Sequence, residues 1–190
     1  MAESIEFEST EWITAGAIGE PGRRTFFVQA RAGDRVVALL VEKGQVAGLA
    51  DLAQQLLSRF DVVVTPDDLD AAHHQLIDGI EPLWRVGEMS LGASVEGERF
   101  VLECAEVLFA DPDDPDVPDE LSEAALEAAL EERATARFWL TRHQLVRLAA
   151  YAAFAVEAGS RERCRLCGRP IDPGEGHVCP ASNGHGKLTV

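Results

Sequence analysis

Residues 41–50 read VEKGQVAGLA and residues 140–149 read LTRHQLVRLA, and the two segments align without a gap at an offset of 99. In each, an apolar run ends, a cation follows (Lys43, Arg142), and a glutamine stands two residues later (Gln45, Gln144). Carried further, the offset maps Val46, Leu49, Ala50, Ala53, Leu56 and Leu57 onto Leu145, Leu148, Ala149, Ala152, Ala155 and Val156. The first series keeps the i, i+3, i+4, i+7 spacing of a helix that buries one face, and the second inherits its positions. One strand-to-helix junction thus occurs twice, and Thr141-x-x-Gln144 reads as a capping box that opens a helix to about Ala158.

Outward from these junctions the pattern turns to strands. Residues 11–19 (EWITAGAIG), 24–31 (RTFFVQAR) and 35–42 (RVVALLVE) are rich in β-branched and aromatic residues and are separated by short turns. Pro21-Gly22 suits the centre of a type II turn, because proline presets the first φ and glycine accepts a positive second one. Ahead of the second junction, residues 83–94 and 98–109 predict a hairpin turning at Glu96-Gly97, and 136–140 (ARFWL) predicts a further strand. Thr65-Pro66 predicts a short helix through about Ile77. The expected fold class is α+β: an antiparallel sheet from two βββα-like halves, helices largely on one face, plus a short zinc-knuckle tail. The expected domains are residues 1–159, with an internal repeat over about 11–60 and 84–158, and a tail over 160–190.

Composition bounds the function. The 190 residues carry 33 acidic against 17 basic side chains, a net charge of −16, with 46% apolar residues. A chain this acidic repels phosphate backbones and anionic lipid, so general nucleic-acid or membrane-surface binding is not expected. Ten of the acids fall in 111–132 without a basic residue, which reads as a solvated acidic insertion; the remainder carries about −6. No apolar run approaches the roughly 20 residues of a membrane helix, and the acidic MAESIEFEST start has no signal-peptide pattern, so the expected location is the cytoplasm.

Three of the four cysteines lie in the tail, CRLC at 164–167 and HVC at 177–179. A Cys-x-x-Cys pair followed by Gly168 points two thiolates at one ion, and His177 with Cys179 completes a tetrahedron. Zinc suits such a Cys₃His set, and a closed four-ligand site is structural because no position is left for water. His185 is the alternative fourth ligand, since one residue between His177 and Cys179 makes a cramped chelate. A redox Cys-x-x-Cys is the functional rival, but such motifs usually open a helix, which Pro170 and the nearby glycines oppose. Cys104, in the run FVLECA, reads as a buried core thiol.

A second candidate site is a set of cations. Arg24, beside Arg23 at the first hairpin end, can hold an anion bidentately, with Lys43 and Arg85 as further members and Arg142 as the repeat-related cation. The plainer reading has these arginines solvating a hairpin end. His73 and His74 lie beside Asp70, but adjacent residues do not share a helix face. No nucleotide-binding glycine loop, nucleophile elbow or zinc-protease helix is recognisable.

Four segments in this order, GEPGRRTFFVQAR, LLVEKGQVAGLA, WRVGEMSLG and CRLCGRPIDPGEGHVCPASNG, resemble an actinobacterial family, domain of unknown function 3090. The resemblance implies a cytoplasmic actinobacterial protein, often one of a trio whose other members resemble a histidine phosphatase and a phosphoinositide-kinase-like protein. It brings no established activity, and implies a phosphorylated partner or metabolite. The favoured expectation is a binding or adaptor protein with a structural zinc site. The alternative is an enzyme acting on a small phosphorylated or anionic substrate near Arg24, Lys43 and Arg85; catalysis, partner and oligomeric state stay open.

Overall fold

Short turns build the first sheet. Arg23 N–H donates to the Glu20 carbonyl at 2.9 Å, and Gly22 has a φ of 91°, the positive value expected of it in that turn. The turn joins β2 (Trp12–Ile18) to β3 (Thr25–Ala32), and a tight turn at Gly33 leads into β4 (Arg35–Val41). The three pair antiparallel in the order β2-β3-β4, with Ala15 opposite Val28 and Val28 opposite Leu39. The chain then enters α1 (Lys43–Arg59).

The second half repeats this order. β5 (Val86–Ala93), β6 (Arg99–Glu106) and β7 (Thr135–Thr141) pair antiparallel, and α3 (Arg142–Ala158) follows β7 directly. A three-residue strand, β1 (Ile5–Phe7), adds to β7 in parallel, giving a four-stranded sheet β1-β7-β6-β5. The helix α2 (Glu123–Glu132) precedes β7, and β8 (His177–Val178) pairs with β9 (Lys187–Leu188) in the tail. This computed structural model describes residues 4–20, 22–62, 76–108, 123–158, 164–167, 171, 177–180 and 187–188.

The fold is α+β with two βββα halves, and its strands divide between two sheets. The division has a local cause. Leu83 N–H donates to the Ala38 carbonyl and Leu40 N–H to the Trp84 carbonyl, so residues 83–85 run parallel to β4. The register then shifts between Val86 and Glu88, and the chain leaves β4 to pair with β6. Gly87 sits at that shift, where a Cβ would lie 2.8 Å from the Val107 Cα. A side chain there is excluded by backbone, so the crossing needs glycine.

The core lies between the sheets and the two long helices, which pack on each other. β3 contributes Phe26, Val28 and Ala30, β6 contributes Phe100, Leu102 and Cys104, and β7 contributes Ala136, Phe138 and Leu140, the inward alternate positions of each strand. Val46, Leu49, Ala50 and Ala53 of α1 are buried, as are Leu145, Leu148, Ala149 and Ala152 of α3. The pairs related by 99 positions therefore occupy the same structural role.

The junctions match in detail. Gln45 Oε1 accepts from the Glu42 N–H and Gln144 Oε1 from the Thr141 N–H, both at 2.8 Å. Thr141 Oγ1 accepts in return from the Gln144 N–H at 3.3 Å, closing the capping box. Each glutamine also reaches into the other half. Gln45 Nε2 donates to the carbonyls of Val86 and Gly87 at 2.9 and 3.2 Å, and Gln144 Nε2 donates to Thr10 at 2.5 Å. Each half's helix start is thereby tied to the start of the other half's first strand. Among the described residues no helix is long and apolar enough to cross a membrane.

Candidate metal centre

The tail assembles three cysteines. Cys164 and Cys167 flank a single turn, and Cys179 follows directly on β8. Their sulfur atoms lie within 4.8 Å of one another, and Cys164 Sγ is 3.6 Å from Cys179 Sγ. That separation is far beyond the roughly 2.05 Å of a disulfide. It matches the edge of a tetrahedron of thiolates around a zinc ion, about 3.8 Å for Zn–S distances near 2.3 Å. Cys164 and Cys179 are buried and Cys167 is partly exposed, while Arg165 and Leu166 between them face solvent, Leu166 at 63% exposure. Three sulfurs that converge from a chain with this little apolar packing are a donor set suited to a soft or borderline cation. His177 takes its place in β8, two residues before Cys179, opposite Leu188. Its side chain and all of His185 lie outside the described residues.

The fourth cysteine belongs elsewhere. Cys104 is buried in β6, and its pKa is pushed up from 9.0 to about 12, chiefly by desolvation and secondarily by the neighbouring Glu103 carboxylate. It stays a neutral core thiol.

Arg24, Lys43 and Arg85 stand at one end of the first sheet, Arg142 follows β7 of the second, and the four make different contacts. Arg24 is half-buried just before β3, and its Nε donates to the Gly19 carbonyl at 3.1 Å. Lys43 opens α1 immediately past β4. Arg85 lies beside Leu40, and its guanidinium is 2.7 Å from the Glu42 carboxylate. Arg142 bonds the Gly97 carbonyl and Glu98. His73, His74 and Asp70 fall outside the described residues. A feature that the sequence did not suggest is a cavity of about 330 Å³ beside Arg24, also lined by Ala15, Ala17, Ile18, Asp78, Tyr151 and Phe154. The one local signal for it was Phe154, an aromatic that falls outside the apolar stripe of α3.

The span from β1 through the last of the clustered cysteines, residues 5–179, matches a protein family. The chain belongs to the family Protein of unknown function (DUF3090). The DUF3090 match takes in both βββα halves and all three clustered cysteines. No curated protein and no solved structure matches the chain.

Proposed function

We propose that this protein is a non-catalytic binding or adaptor protein whose C-terminal knuckle is ordered by one structural zinc ion, held by Cys164, Cys167, Cys179 and His177. The observation that carries the reading is the convergence of three cysteine sulfurs to within 4.8 Å of one another, two of them buried. A fourth protein ligand closes the coordination shell, so the metal stabilises and does not activate water. Zinc binding in such small units is coupled to folding and contributes about 10–16 kcal/mol apparent, which suits a segment with two-residue strands and little core. Leu166, exposed between the first two cysteines, is the apolar side chain that this reading assigns to partner contact. The same proposal takes the two βββα halves as an internal repeat, supported by the paired roles of Gln45 and Gln144.

Elemental mass spectrometry of protein purified without chelator tests the metal. One zinc per chain is expected, and its loss in Cys164→Ser and His177→Ala. Metal-free protein, or a wild-type zinc content retained in Cys164→Ser, overturns the assignment. The adaptor role is tested by partner recovery with Leu166→Asp, which should keep its zinc and lose the partner.

A further inference from the structure

We infer that the cavity at the end of β2 binds a small amphipathic anion, a carboxylate or phosphate attached to an aromatic or branched-aliphatic body. The site stands apart from the cysteine cluster and does not depend on the metal reading. Its volume of about 330 Å³ lies at the lower end of ligand pockets, roughly 300–1,000 Å³.

Its walls come from segments far apart in the chain. β2 is the edge strand of its sheet, and the cavity wraps around that edge. Ala15 and Ala17 face α3, where Tyr151, Phe154 and Ala155 form the apolar wall. On the opposite side Leu76 lies over Gly16, so close that a Cβ on the glycine would meet Leu76 Cγ at 2.8 Å. The segment carrying Leu76 is fixed there by buried Gln29, whose side chain exchanges two hydrogen bonds with the backbone of Ile77, at 2.8 and 3.0 Å. The alanines leave room beside the strand, and Phe154 stands at the mouth with 59% of its surface exposed.

The charge in this site is placed for a ligand. Arg24 is half-buried, and its one bond to a described residue uses Nε, on the Gly19 carbonyl. That bond orients the guanidinium and leaves both terminal nitrogens for a bidentate acceptor. Among the described residues five other arginines are matched with carboxylates, at Glu11, Glu42, Glu88, Glu103 and Glu98. Arg24 has no such partner there, a lack it shares with Arg23, Arg59, Arg99 and Arg165, but Arg24 is the one of these that lines the cavity. Asp78 lines the same cavity without pairing to Arg24, and gives the rim a place for a donor or cationic group on the ligand.

The test uses full-length protein and three probes of similar size: phenyl phosphate, phenylacetate and neutral benzyl alcohol. Calorimetric titration should show one or both anions binding about tenfold more tightly than benzyl alcohol, the effect of a charge-assisted contact. Comparison of the two anions separates a phosphate site from a carboxylate site. Amide shifts in the bound spectrum should centre on residues 15–18, 24 and 151–155. Arg24→Met should erase the anion preference while sparing benzyl alcohol, Arg24→Lys should keep part of it, and Phe154→Ala should weaken all three probes. Equal affinity for anion and alcohol, no binding of either anion, shifts centred elsewhere, or an undiminished preference in Arg24→Met each overturns the proposal. The wild-type titration and shift map decide the question even if a variant fails to fold.

Discussion

Replacing Gln144 by alanine removes three side-chain bonds, including one that Oε1 accepts from the Thr141 hydroxyl at 3.1 Å, and they serve two ends. One is the cap, in which Oε1 accepts from the Thr141 N–H at 2.8 Å; the other is the tie, in which Nε2 donates to the Thr10 carbonyl at 2.5 Å. Thr141 is exposed, so its N–H turns to water and the loss is that of an ordinary cap, about 0.5–1 kcal/mol. Thr10 is buried, and its carbonyl is left without this donor, a cost of about 1–3 kcal/mol. The variant should therefore lose about 1.5–4 kcal/mol in equilibrium urea unfolding followed by far-ultraviolet ellipticity. Gln45→Ala should lose a similar amount, because Gln45 caps Glu42 and ties Val86 in the same way. Gln144→Glu separates the two contributions. A carboxylate still accepts at the helix start and gains slightly from the helix dipole, but it opposes an oxygen to the Thr10 carbonyl. At neutral pH Gln144→Glu should be no more stable than Gln144→Ala, with the deficit narrowing as pH falls through the glutamate range near 4.3. A Gln144→Glu protein as stable as wild type at neutral pH would refute the tie, since only the amide can donate to Thr10.

Other outcomes follow from single observations. Removal of the proposed zinc ion by a strong chelator should increase amide exchange at 164–167 and 177–180 and leave the protected core of β3, β6 and β7 unchanged, as read by hydrogen-exchange mass spectrometry. Cys104, whose thiol pKa is about 12 against 9.0 when exposed, should resist alkylation in the native state. Above pH 9 the unfolded thiol ionises while the buried one resists, so wild type should lose stability with rising pH more steeply than Cys104→Ala, measured by urea unfolding. Arg85→Ala breaks an exposed ion pair with Glu42 and should change stability by about 1 kcal/mol or less in the same assay.

What could be read from the chain was whatever local spacing encodes. The six antiparallel strands and both long helices follow from period-two and period-3.6 patterns, and the Thr141–Gln144 cap from a four-residue motif. The three cysteines that converge are separated by at most fifteen positions, and their spacing announced them. What was not legible depends on partners distant in sequence. β1 is three residues long, too short for any period, and is defined by pairing with β7 more than a hundred positions away. The switch of residues 83–87 from β4 to β6 divides the strands between two sheets, and a hydrophobic pattern does not say which neighbour a strand chooses. α2 was hidden because its acids, Glu123, Glu127, Glu131 and Glu132, drew the segment into the reading of a solvated insertion. Its alanines and leucines favour helix all the same. The cavity walls come from residues 15–18, 24, 76–78 and 151–155, and no motif spans them.

The charge balance decides what kind of anion Arg24 can hold. A net charge of −16 sets a repulsive field for any polyanion that must lie across the surface. At physiological ionic strength that field decays over about 8 Å, so a ligand in contact with the Arg24 guanidinium is screened from distant carboxylates and feels mainly the charges that line the cavity, Arg24 and Asp78. Selection then favours a ligand whose charge is confined to one end and whose remainder is apolar enough to sit against Tyr151 and Phe154. An inorganic anion meets the guanidinium but leaves the aromatic wall uncovered, and a neutral aromatic covers the wall but leaves Arg24 without an acceptor. Only a molecule carrying both parts uses the whole site. That is why the comparison of phenyl phosphate and phenylacetate with benzyl alcohol, and not the affinity of any one probe, is the measurement that bears on the site.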